Sequence, residues 1–132
     1  MLGTRLTAAT AGITQATVGV LYLPQLPETL IRRPLLPGQV SAVVYIESIG
    51  PLWTLMFFAT AAMLLVAAVR GKGFIRGHLS VSAVNMLYGT CILASAVLTE
   101  PPVPVVAGTI ATGFGGLMNL TIAIGCRDRG HR

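Results

Sequence analysis

PLWTLMFFATAAMLLVAAV, residues 51 to 69, carries no ionisable group and is built throughout from helix-forming Leu, Met and Ala. Crossing a hydrocarbon layer about 30 Å thick takes roughly 20 predominantly apolar residues at about 1.5 Å of rise each. This stretch meets that requirement and sets the class of the whole chain. Of the 132 residues, 54% are hydrophobic and only 10% charged, with a mean hydropathy of +0.78. Soluble domains carry about 25% charged residues, so the solvent expected for this chain is lipid.

Two further spans follow toward the C-terminus, HLSVSAVNMLYGTCILASAVL over His78 to Leu98 and VPVVAGTIATGFGGLMNLTIAIGC over Val103 to Cys126. Between them lies TEPPVP, too rich in proline to continue a helix. The pair reads as a tight helical hairpin.

A fourth span is expected upstream, in LTAATAGITQATVGVLYL, Leu6 to Leu23. At about 100° per residue, Thr7, Thr10, Thr14 and Thr17 fall within an arc of roughly 80°. Ala8, Gly12, Ala16 and Gly19 fill the neighbouring arc, and only Leu6, Ile13 and Val20 make an evident lipid-facing edge. Small and hydroxylated residues are what membrane helix interfaces use, so this helix is expected against protein on most sides. A signal peptide fits less well, because threonines and Gln15 break the apolar run and YLPQLPETL offers no small-x-small cleavage pattern; the segment is expected to stay in the mature protein.

The expected fold is therefore all-α, a single transmembrane domain over residues 1–132 with four helices in a compact bundle (about 6–23, 51–69, 78–98 and 103–126). Residues 39–50 (QVSAVVYIESIG) either lie in the outer interface, the preferred reading, or extend the second span with a kink at Pro51. Orientation follows from the cations. Arg70, Lys72 and Arg76 lie between the second and third spans, Arg127, Arg129 and Arg132 in the tail, and Arg5 before the first span, against Arg32 and Arg33 alone in the first loop. The positive-inside rule then puts both termini in the cytoplasm of a multi-pass cytoplasmic-membrane protein. Pro24, Pro27, Pro34 and Pro37 in the first loop, and Pro101, Pro102 and Pro104 in the third, fit the same map.

Chemistry-bearing residues are few. Asn85 and Asn119 each lie seven residues from the expected cytoplasmic end of their spans, His78 and Cys126. Folding the hairpin about Pro102 puts the two level. Ser82, Asn85 and Gly89 share one face of their helix, and Gly108, Thr112, Gly115 and Asn119 share one of theirs, so two polar grooves lined by small residues are expected to face each other with the amides in bonding reach. Packing is one role for them; bordering a wet path is the other. The threonine stripe carries the same alternatives: close packing through Gly12 and its neighbours, with hydroxyls returned to their own backbone, or an assembly in which Thr10, Thr14, Gln15 and Thr17 line an aqueous lumen.

No span core contains a charge. Glu28 and Glu100 fall in loops, Asp128 in the tail and Glu47 near the outer interface, so the intramembrane carboxylate of a proton-coupled exporter is missing. Cys91 and Cys126 are lone thiols, and His78 and His131 sit at a helix end and in the tail without ligand spacing. No metal or cofactor is expected, nor an enzyme, since no nucleophile, base and orienting group can be assembled. GKGFIRG, residues 71 to 77, is not a phosphate loop. It reads as a basic cytoplasmic turn attracted to anionic headgroups, and the dispersed charge of +5 does not suit nucleic acid.

Eight Arg to one Lys, with abundant Ala, Gly and Thr, suggests a high-GC actinobacterial or phage genome. In that setting the short chain, the weakly apolar first span, the short loops and the tail RDRGHR resemble the holin-like membrane proteins encoded beside the endolysins of actinobacteriophages. The resemblance implies self-association through the small-residue faces of the first and fourth spans and permeabilisation of the membrane during lysis. The other reading is a non-enzymatic interaction protein, either an accessory subunit or a superinfection-exclusion factor bound to a host or phage membrane protein. Its feature is the Pro-rich loop from Pro24 to Gln39 with Arg32 and Arg33.

Overall fold

The computed structural model describes residues 2–30, 35–98 and 105–130. Arg32, Arg33, Glu100, Pro34, Pro101, Pro102, Pro104, His131 and Arg132 lie outside the described residues. Within them all regular structure is helical: α1 (Leu2–Leu21), a 3₁₀ turn (Glu28–Leu30), α2 (Ala42–Ile49), α3 (Leu52–Arg70), α4 (Phe74–Leu98) and α5 (Val105–Asp128). α3, α4 and α5 are each long and apolar enough to cross a membrane. α1 matches them in length at 20 residues, but its threonines, glycines and Gln15 dilute the leucines.

α3 is central. Its buried residues Trp53, Phe57, Thr60, Ala61, Leu64 and Ala67 recur at three and four positions, the period that keeps one helical face inward. α3 ends on Gly71, whose φ of 68° is left-handed and whose N–H reaches the Ala67 carbonyl at 2.8 Å, the helix stop that glycine allows at least cost.

α1 lies antiparallel along α3 for its whole length. Arg5 abuts Gly71, Gly12 lies against Leu65 and the Ala61 carbonyl, Gly19 faces the Phe58 ring, and the Thr54 hydroxyl donates to the Tyr22 carbonyl at 2.6 Å. α4 packs on an adjacent face of α3 and also touches α1, with Tyr22 against Tyr88, and α5 returns along α4.

Several sequence-based boundaries change, beginning with α1, which runs over Leu2–Leu21 rather than 6–23. α4 begins a turn before His78, directly after Gly73 (φ 89°), so His78 is not a helix-end residue but lies inside the bundle with 0% exposure. α5 runs to Asp128 rather than Cys126. Residues 39–50 do not prolong α3: α2 is a helix of its own, with Ser41 accepting from the Val44 N–H and the extended Gly50 separating it from Pro51. Two bonds seat it, Ala42 N–H to Ser95 Oγ at 2.8 Å and Trp53 Nε1–H to the Val43 carbonyl at 3.0 Å.

The bundle has two distinct ends. One is closed by aromatic rings, with Tyr22, Trp53, Phe57 and Tyr88 in mutual contact and the Tyr22 and Tyr88 hydroxyls 2.6 Å apart. At the other, Ala8, Leu64, Ala67, Phe74, Val81 and Cys126 cluster. That end gathers the start of α1, the α3–α4 turn and the close of α5, together with Arg5, Arg70, Lys72, Arg76, Arg127 and Arg129.

Candidate functional site

Among the described residues, the α4–α5 seam holds half of the buried polar side chains, His78, Ser82, Asn85 and Asn119. His78, Ser82, Asn85 and Gly89 stand at intervals of four, three and four on α4, so all four lie on one face, and all four are buried. α5 meets this face with Gly108, Thr112, Gly115 and Asn119. The two helices touch backbone to backbone at Gly89 and Gly108: a Cβ on Gly89 would lie 2.9 Å from the Gly108 carbonyl oxygen, and one on Gly108 would lie 3.1 Å from that of Gly89.

α5 is not α-helical throughout. From Ala111 to Leu117 (ATGFGGL) it is π-helical, with the Met118 N–H bonded to the Gly113 carbonyl five residues back. Gly115 and Gly116 have no side chains to crowd the seam at this wider turn, and neighbouring packing fills their places: Asn85 lies beside Gly115 and Met86 beside Gly116. The segment changes the register of everything beyond it, because a π turn takes up more residues than an α turn.

The asparagine pairing therefore differs from the expected one. Asn85 stands opposite Gly115, not Asn119, a displacement of four residues or about 6 Å along the axis. The amides do not bond each other. Asn85 Nδ2 donates to its own Val81 carbonyl and Asn119 Nδ2 to its own Gly115 carbonyl, each at 2.9 Å. The inter-helix bond is made by His78, whose Nδ1 lies 2.7 Å from Asn119 Oδ1. Because the Asn119 amide is committed as donor to Gly115, its oxygen accepts, and the proton sits on His78 Nδ1. Nε2 then presents a lone pair, buried and without a hydrogen-bond partner among the described residues.

Sequence reasoning missed His78 by placing it at a helix end. The signal was its four-residue spacing to Ser82, which puts it on the polar face. An Asn119→Ala change is expected to cost about 1–3 kcal/mol, since it strands a buried N–H. In a double-mutant cycle with His78→Ala, measured by SDS-induced unfolding in mixed micelles, the coupling should be about 1 kcal/mol. Additive costs would show that the bond contributes nothing.

The first-span residues separate into two sets. Ala8, Gly12, Gln15 and Gly19 are buried, while Thr7, Thr10, Thr14 and Thr17 are exposed. Gln15 thus leaves the stripe grouped with it as a lumen lining; it is 4% exposed, and its Oε1 has no hydrogen-bond partner among the described residues. The hydroxyls of Thr7, Thr14 and Thr17 return to the carbonyls four residues back at 2.9–3.0 Å. Gly12, Gly89, Gly108 and Gly115, expected as small-residue packing faces, with those of the first and fourth spans also expected to carry assembly between copies, are all occupied by contacts within the chain.

Cys91 is half-buried and Cys126 buried, both as free thiols. Glu47 is half-buried on α2, and among the described residues no cluster of His, Cys, Asp and Glu could hold a metal ion. Comparison with known proteins adds no relative: no family model, no curated protein and no solved structure matches the chain.

Proposed function

We propose that the protein works by self-association in the cytoplasmic membrane, in the manner of a holin, with α1, α3, α4 and α5 all crossing the bilayer and both termini in the cytoplasm. A fourth crossing is supported by the pairing of α1 with α3 from Arg5 beside Gly71 to Tyr22 beside Thr54. A helix alongside a membrane span over its whole length shares the same slab of lipid. The cytoplasmic assignment is supported by the six cations gathered at one end.

Self-association is carried by the exposed face of α1. That face has two parts: Leu2, Leu6, Ile13 and Val20 form an ordinary lipid-facing edge, and beside them Thr7, Thr10, Thr14 and Thr17 form an exposed hydroxylated arc. Small hydroxylated faces allow close approach of a second helix, and their hydroxyls need no partner when bonded to their own backbone. Assembly through this face assigns the threonines a role that the glycines, spent inside the bundle, do not fill.

Replacing Thr10 and Thr14 by Leu should leave the chain inserted and helical but shift it from oligomer to monomer in native mass measurements. Expressed in bacteria, the natural sequence should collapse the membrane potential reported by a dye, and the double variant should not. A cell that keeps its potential at high expression of the natural sequence would remove the holin reading. A monomer that copurifies with a different membrane protein would replace it with an accessory role.

A further inference from the structure

Beside the α3–α4 turn lies an open groove of about 760 Å³, within the range of roughly 300–1,000 Å³ typical of small-molecule sites. Its lining includes the apolar Met63, Val66 and Ile75 and the cationic Arg70, Lys72 and Arg76. Met63, Val66 and Arg70 form one ridge on α3, about 10 Å from end to end. The ridge passes from a cation at the end of the bundle to apolar side chains deeper along the helix. Arg70, Lys72 and Arg76 have no carboxylate partner among the described residues, whose one ion pair is Arg127 with Asp128 at 3.8 Å. Gly73, which precedes α4, has no side chain to cap it, so the positive end of the helix dipole adds to the same field.

We propose that this groove is a binding site for one anionic glycerophospholipid, its phosphodiester held by Arg70, Lys72 and Arg76 and an acyl chain laid along Val66, Met63 and Ile75. The site has the polarity of such a molecule, cationic at headgroup level and apolar below. A zwitterionic lipid would bring its own ammonium back against three cations that no described carboxylate neutralises, so net negative charge is what the rim selects. A free phosphate would satisfy the rim and leave the apolar wall unused. The proposal requires the chain to sit in a bilayer and is independent of self-association.

The test is native mass spectrometry of the full-length protein in detergent, titrated with phosphatidylglycerol or with phosphatidylcholine of the same chain length. Phosphatidylglycerol should bind the natural sequence at one tight site per chain, and phosphatidylcholine far more weakly. Each basic residue near a membrane surface contributes about 1 kcal/mol. Removing one charge should therefore weaken binding about fivefold, and R70Q/K72Q/R76Q should weaken it on the order of 100-fold.

Because that triple change could also disturb insertion, Val66→Trp is the second variant. It fills the groove, keeps every cation and should lower phosphatidylglycerol occupancy at least tenfold. R127Q/R129Q, which removes cations at the same end but outside the groove, should change it less than about twofold. Equal binding of the two lipids, undiminished binding by Val66→Trp, an equal loss in R127Q/R129Q, or displacement by glycerol 3-phosphate would each overturn the site. The same spectra report copies per particle, so loss of oligomers with lipid retained separates this proposal from self-association.

Discussion

Gly89→Val should leave little folded protein. A β-carbon at residue 89 would lie 2.9 Å from both the Gly108 carbonyl oxygen and the Thr112 amide nitrogen. Those atoms are backbone and cannot rotate away as a side chain can. Room can be made only by separating α4 from α5, which breaks the His78 to Asn119 bond and the packing of Asn85 on Gly115 along with it. Overpacking in a well-packed core costs about 1–3 kcal/mol, and Gly89→Ala should fall in that range. The branched valine adds two methyl groups to the same contact and should exceed it, enough to cancel much of a stability of about 5–15 kcal/mol. Gly113→Ala is the control: it stands in the π-helical segment of α5, where an added β-carbon meets nothing within 4 Å. It should be neutral or stabilise by up to about 1 kcal/mol through helix propensity alone. Similar unfolding midpoints for Gly89→Ala and Gly113→Ala in SDS titrations would show that α4 and α5 do not touch at Gly89.

The contrast between these two glycines marks where sequence reasoning stops. Span 51–69 was legible because an uninterrupted apolar run meeting Gly71 fixes both the existence of α3 and its end. The polar faces of α4 and α5 were legible too, since Ser82, Asn85 and Gly89 hold one angular position whatever they contact. Register was not: Asn85 meets Gly115, and Asn119 meets His78, because the π-helical segment shifts the offset along α5, and it does not follow from hydrophobic period. The inward face of α1 was illegible for a different reason. In water the apolar side of a helix turns in, whereas in lipid both the threonine arc and the Ala8, Gly12, Gly19 arc suit an interface. Only the complementary shapes of Leu65 and Phe58 select the second. Likewise, the boundary between α2 and α3 rests on the extended Gly50 and on Pro51, of which the proline break was legible, whereas the seating of α2 by Ser95 and Trp53 was not.

Trp53→Ala should cost about 3–5 kcal/mol, the largest loss expected from any single side-chain truncation here. Trp53 is 1% exposed, and its ring meets Phe57 at 6.3 Å and the edge of Tyr88 at 5.1 Å between centroids. Its Nε1–H is also the bond that holds the Val43 carbonyl of α2. Lipid tails are as apolar as the ring, so transfer from water contributes little between helices in a membrane. The cost arises instead from lost dispersion contacts, the cavity left among Tyr22, Phe57 and Tyr88, and a carbonyl deprived of its donor. These parts can be separated. Trp53→Phe keeps most of the packing and removes only the donor, so it should cost about 1–3 kcal/mol and release α2 while α3 and α4 stay paired. Hydrogen exchange would then rise over residues 42–49 in both variants, but along α3 only in Trp53→Ala. If exchange over α2 is unchanged in Trp53→Phe, the Ala42 to Ser95 bond alone seats that helix, and the tryptophan serves the bundle by its volume.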